Sequence, residues 1–314
     1  MKILLTTNKT LSNGKVKWVD NHYYNTYLPL KDLGHEVYFW DTVAPEEPDY
    51  QKVVDQFKPD LIFCCFTGDL SITPSEKIAA EKIMQITKKG NIKTFNWFCD
   101  DTWRFDSFSS KICSIFTACS TPEPDYIKKY KKIGYNNIFV GCWHANHKLY
   151  PTEEIEKKYD VTFIGQLNNP DRYHAIKYLE KNGIDVKYFY GLSQEEMVKV
   201  LSETKISLNF SNNWTAERRG MPLKTQMKLR PFEVTAANDT MLISEYHSGL
   251  EYFYDVDKEI VTFKNEKEML AKIKFLLKNE NVRKNIAKAG NERFKKDHTS
   301  HNRMEYIIGE INKI

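Results

Sequence analysis

Short apolar runs recur along the chain at residues 2–7, 35–40, 59–66, 93–99, 112–118, 137–140, 160–164, 186–190, 206–210 and 240–244. Each is long enough for a buried strand and too short for a helix. Stretches of helical length separate many of them, at 22–33, 76–88, 124–133, 173–182 and 193–203. Strands that alternate with helices fold as parallel sheets with crossover connections, so the class expected is α/β. The 314 residues are long for one such core and comfortable for two. The best boundary is the mixed polar stretch 141–153 with its Pro151, which divides the chain into 1–150 and 151–314.

Local signals refine this outline. Residues 8–21 read as a polar loop after the first strand, carrying Asn13-Gly14, and Pro29 interrupts the helix that follows. Ser193 is placed to cap a helix. Six cysteines lie mostly inside apolar runs and lack C-x-x-C spacing, which points to reduced, buried thiols and a cytoplasmic location. No apolar run approaches the roughly 20 residues that span a bilayer, and the MKILLTT start lacks a cleavable hydrophobic region. A net charge of +4 permits an anionic partner without demanding one.

The stretch 228–263 carries most of the chemistry. Arg230 precedes Pro231 at a helix start, where a missing N–H costs nothing, and Glu233 falls in the first turn. Asn238-Asp239 end the helix and an apolar strand follows at 240–244. A helix start with an arginine beside it attracts a diphosphate, and a carboxylate on the same turn can accept both hydroxyls of a ribose. The combination suits a nucleoside diphosphate sugar. The plainer alternative is an ion pair at i, i+3.

The run Lys228-x-Arg230-x-Phe232-Glu233, then Gly249-Leu250-Glu251-x-Phe253, the stretch DKEIVTF at 257–263, and finally Asp297-His298-Thr299 with Arg303 resembles the CgeB-like, group-1-related glycosyltransferases of the GT-B type. The likeness is dense in the C-terminal half and loose in the N-terminal half. It implies a GT-B fold, two Rossmann-like domains with parallel sheets facing a central cleft, acceptor side first and nucleotide-sugar side second, the last helix returning to the first domain. It also implies that Glu233 holds the ribose. Thr225 stands where group-1 relatives carry a second glutamate.

Other candidates are weaker. Gly165, after the first strand of the second half, would let backbone approach a phosphate. Arg172, Lys224, Arg218 and Arg219 are candidate phosphate ligands, each with solvated surface charge as the alternative. Asp100 and Asp101 follow a buried strand in WFCDDTWRF, where α/β crevices bind ligands, and either is a candidate general base. The alternative there is a helix cap paired with Arg104. Asp69 is a further candidate base. Adjacent aspartates are not the D-x-D of metal-dependent transferases, and Cys142, His144 and His147 lack a fourth ligand, so neither metal nor resident cofactor is expected.

The function expected is a metal-independent glycosyltransferase using a nucleoside diphosphate sugar, UDP-linked by preference. Its acceptor would be a hydroxyl of a glycan, lipid, protein or hydroxylated DNA base, the last hinted at by residues 128–132 and Arg218-Arg219. A sugar-nucleotide epimerase or hydrolase on the same fold, and a non-catalytic binding protein, are the competing expectations.

Overall fold

The computed structural model describes residues 1–12, 17–68, 73–212 and 225–314. The chain forms two compact units, Met1–Cys142 with Ser300–Ile314, and Trp143–Thr299.

The first unit holds β1 (Lys2–Thr7), the antiparallel pair β2 (Thr10–Ser12) and β3 (Lys17–Val19), β4 (Glu36–Asp41), β5 (Leu61–Cys64), β6 (Lys93–Trp97), β7 (Ala118–Thr121) and β8 (Ile138–Val140). Six of these strands form a parallel sheet in the order β4-β1-β5-β6-β7-β8. The chain steps to one side of β1 and then crosses to the other, which creates a topological switch at the carboxyl ends of β1 and β5. One face packs Leu4, Ile62, Cys64 and Cys119 against Ile83 and Ile86 of the helix Pro74–Lys89.

Three expectations are corrected here. The segment 8–21 is more than a loop, since it contains the β2–β3 pair. The single helix expected at 22–33 is a π-helix, Tyr23–Tyr27, followed by an α-helix, Leu28–Asp32. Pro29 has no N–H to continue the α ladder, and the turn before it widens. The strand expected at 112–118 lies at Ala118–Thr121 instead. Helical turns tuck Cys113 and Phe116 into the core, leaving four small residues to make the strand.

The closing helix Ser300–Asn312 packs within this first unit. Met304, Ile307 and Ile311 are buried, Lys93 donates to the Ile311 carbonyl at 3.0 Å, and His301 meets Asp32 at 3.0 Å.

The second unit holds β9 (Tyr159–Ile164), β10 (Val186–Phe189), β11 (Thr204–Asn209), β12 (Met241–Glu245) and β13 (Val261–Phe263), all parallel in the order β10-β9-β11-β12-β13. Its switch point falls at the carboxyl ends of β9 and β11. Ser193 caps the helix Gln194–Ser202 in a complete capping box with Glu196. The short helix Arg230–Ala236 leads into β12 and is held from behind. Asn291 donates to the carbonyls of Thr235 (2.7 Å) and Ala236 (3.2 Å), which the helix itself leaves unpaired. Buried His298 presses edge-on against Phe232 and hydrogen-bonds the Phe253 carbonyl at 2.8 Å. Among the described residues, no helix is long and apolar enough to cross a membrane, and all six cysteines are free and buried.

Candidate functional site

In the second unit, polar side chains gather where the parallel strands end. Gly165 follows β9, and its N–H closes onto the Phe189 carbonyl at 3.0 Å. A Cβ there would come within 2.8 Å of the Phe163 ring, so glycine is what lets the aromatic ring fold back under the strand end. Asn169 caps the helix Pro170–Lys181 and donates to the side chain of Asn212 at 2.9 Å, tying the turn after β9 to the turn after β11.

Arg172 lies in the first turn of that helix. Its Nη2 donates to the Asn212 carbonyl at 3.3 Å, while its Nε is buried without a partner among the described residues. Burial lowers the Arg172 pKa, and the nearby Glu245 carboxylate opposes the shift. A largely buried guanidinium with an N–H to spare is equipped to bind an anion.

Arg230 and Glu233 do meet. Arg230 Nη1 lies 2.7 Å from Glu233 Oε2 and 2.8 Å from Met197 Sδ. The Glu233 side chain is only 5% exposed, so the contact is a buried pair and not the surface pair that spacing alone allows. Burial raises the Glu233 pKa and Arg230 pulls it back. Tyr150 completes the group. Its buried hydroxyl has no partner among the described residues, and Glu233 and Arg230 both act on it. Nothing in the sequence marks Tyr150, because it lies far along the chain from the pair it faces. The helix bearing Arg230 and Glu233 has only seven residues, and its cap residue Leu229 already has helical dihedral angles. The charge here comes from the side chains.

Thr225 Oγ1 shares a hydrogen bond with His247 Nδ1 at 3.0 Å. An antiparallel bridge pairs Thr225 with Asn212, which brings it beside the same cluster. Lys224, Arg218 and Arg219 lie outside the described residues, as does Asp69 in the first unit.

In the first unit the structure separates the two adjacent aspartates. Asp101 opens the turn Asp101–Arg104, is wholly buried, and accepts the Tyr130 hydroxyl at 2.8 Å. Burial pushes its pKa up to about 6, against the pull of Ser109, Thr121 and Tyr130. Asp100 sits one residue earlier with its side chain 19% exposed, 3.5 Å from Arg104 Nη2. Arg104 also donates to the Thr67 carbonyl, so it joins the loop after β5 to the loop after β6. Of the two carboxylates, Asp100 is the one a ligand at the strand ends can reach.

Near the same strand ends lies a residue the sequence did not single out. His22 is buried, edge-on to Trp97 at 5.5 Å, with its backbone N–H on Asp20 Oδ1 at 2.9 Å. Burial lowers its pKa while Asp20 opposes. Among the described residues, no group of three or more His, Cys, Asp or Glu is placed to hold a metal ion.

Comparison with known proteins adds to this geometry. Residues 149–309 match the model of a family described as glycosyl transferase-like. The fold is similar to that of Anabaena HepE, solved in complex with UDP and glucose, at 10% identity and a TM-score of 0.63 over 100% of both chains. It is also similar to that of the T4 phage enzyme BGT, solved with its UDP-glucose substrate, at 13% identity and a TM-score of 0.59 over 98% of this chain and 97% of that one. At such identities the likeness shows the fold. A phosphoribosylaminoimidazole-succinocarboxamide synthase of Clostridium botulinum is 29% identical over 141 residues, 42% of this chain and 57% of that protein. The chain thus spans little more than half the length of the curated relatives it matches.

Proposed function

Because the chain belongs to the glycosyl transferase-like family, we propose that it transfers a sugar, a hexose or a pentose, from a UDP-sugar to a hydroxyl acceptor. The observation that carries the proposal is the pair of partly buried arginines in the second unit, Arg172 at the switch point of the sheet and Arg230 at the start of the helix leading into β12. UDP is the preferred nucleotide because both similar structures were solved with UDP or UDP-glucose.

In the reaction, the bond from the anomeric carbon to the diphosphate oxygen breaks and the electron pair leaves with the diphosphate. A bond forms to the acceptor oxygen, whose proton passes to a carboxylate. Arg172 and Arg230 stabilise the charge growing on the departing group, which is where preorganised electrostatics lowers the barrier most. Their two fixed charges make a metal ion unnecessary in this scheme, and it needs no resident cofactor. Glu233 aims Arg230 and meets the ribose, and Lys224 adds charge. Asp100 is the base preferred on exposure, with Asp69 as the second candidate and Asp101 a buried support beneath. A cytoplasmic enzyme is the location proposed.

The test is release of UDP from UDP-sugars, with and without a panel of acceptors: glycosides, lipid-linked sugars, proteins and DNA containing hydroxymethylated bases. Acceptor-dependent release is expected, together with a loss of about a hundredfold or more in Arg172→Ala and Arg230→Ala. Release independent of acceptor would favour an epimerase or hydrolase. No release with any donor would leave a binding protein. DNA belongs in the panel because the T4 relative is a DNA-modifying β-glucosyltransferase, and because Lys128, Lys129, Lys131 and Lys132 line the exposed side of one helix here. Transfer to DNA would fall steeply with added salt.

A further inference from the structure

The carboxyl ends of β11 and β12 hold a carboxylate that the scheme above does not use. Glu245 is the last residue of β12, directly after Ser244, which pairs with Asn209 of β11. Side chains clamp its backbone. Ser211 Oγ donates to the Glu245 carbonyl at 2.9 Å, and Asn209 Nδ2 donates to Ser244 Oγ at 2.9 Å. The Tyr246 N–H closes onto Phe263 at 2.8 Å, so the direction of the Glu245 side chain is fixed on both sides.

That side chain points into the cluster. Glu245 Oε2 accepts the Asn212 N–H at 2.9 Å, the same Asn212 whose carbonyl takes Arg172 and whose backbone bridges to Thr225. Glu245 is therefore a close neighbour of Arg172 on one side and of the Thr225–His247 hydrogen bond on the other. Glu233, by contrast, is paired with Arg230 and is assigned above to the ribose.

We infer that Glu245, seconded by the Thr225–His247 pair, recognises hydroxyls of the transferred sugar and so decides which sugar nucleotide is used. The inference rests on the donor reading above. In a sugar nucleotide the sugar is bonded to the diphosphate, so its hydroxyls fall beside the cation that holds the phosphates. A carboxylate accepts hydrogen bonds and donates none, which makes it a strong and selective partner for hydroxyl groups. A site built this way rejects a sugar whose hydroxyl is missing or inverted, because the buried polar group is then left unpaired.

The experiment compares binding of UDP with binding of UDP-glucose, UDP-galactose, UDP-N-acetylglucosamine and UDP-glucuronate by calorimetry, for the wild type, Glu245→Gln and Thr225→Val. Glutamine keeps an acceptor for the Asn212 N–H, and an unchanged melting temperature confirms that the fold is intact. The wild type is expected to bind one UDP-sugar more tightly than UDP. Glu245→Gln should bind UDP as the wild type does and lose about tenfold or more of the gain from the sugar. Thr225→Val should lose less, in the same direction. Equal weakening of UDP and UDP-sugar in Glu245→Gln overturns the inference, as does a wild type that binds UDP yet gains nothing from any sugar; both leave the donor reading standing. A wild type that binds neither UDP nor any UDP-sugar defeats the donor reading itself.

Discussion

Two neighbouring residues of one type, Asp100 and Asp101, end in opposite environments, and one step of backbone accounts for it. Asp100 precedes the turn with non-helical dihedral angles, φ −134° and ψ 38°, just past the end of β6, while Asp101 begins a helical turn directed into the core. The cost of burying Asp101 can be read from its proton. Its carboxyl titrates near 3.8 when unfolded and at about 6 when folded. Between those values the native state holds a proton the unfolded state has lost, so stability falls as pH rises from about 4 to about 6 and stays at the lower level at pH 7. The difference between the folded and unfolded carboxyl corresponds to roughly 3 kcal/mol. Asp101→Asn removes this titration and keeps an acceptor for the Tyr130 hydroxyl. The expected outcome is a variant that gains on the wild type as pH rises through that window, seen as a growing difference in urea midpoints. A constant difference at every pH would mean that Asp101 does not carry the titration.

At the scale of elements, the short helix Arg230–Ala236 depends on its neighbours, because seven residues are too few to be stable alone. Asn291 supplies the two hydrogen bonds that finish it, so Asn291→Ala leaves two buried carbonyls unpaired. The variant should lose about 1–3 kcal/mol of stability. As the helix carries Arg230, the donor KM should rise more than kcat falls. Chemical denaturation and steady-state kinetics check the two parts, and unchanged values in both would show that the helix is held by packing alone. The same helix illustrates what the sequence discloses. Its start at Arg230-Pro231, the cap at Ser193 and most parallel strands are legible because each depends on residues close together in the chain. β7 is hard to place from sequence because its small residues Ala118, Cys119, Ser120 and Thr121 carry less apolar signal than the helical turns before it. Glu245, Tyr150 and His22 could not be read at all. Their settings come from partners such as Asn212, Glu233 and Trp97, which only the fold brings near.

For the whole molecule, the two units differ in how their chain is drawn. The second is one continuous segment, Trp143–Thr299, with its own sheet and core, whereas the first needs a piece from the far end, Ser300–Ile314. That piece buries Met304, Ile307 and Ile311, sets Tyr306 edge-on to Phe139 at 5.9 Å, and receives Lys93 on its last turn. Three buried apolar side chains contribute about 1.5–3 kcal/mol each, a sum comparable with the whole stability of an ordinary domain. Ending the chain at Thr299 should therefore unfold the first unit and spare the second. Limited proteolysis of that variant is expected to digest the region before Trp143 and to leave a resistant fragment close to 143–299, while the intact chain protects both. Equal resistance of the two regions in the truncated protein would show that β6 and β8 hold their sheet without the closing helix. Loss of both together would show that the second unit draws its stability from the first.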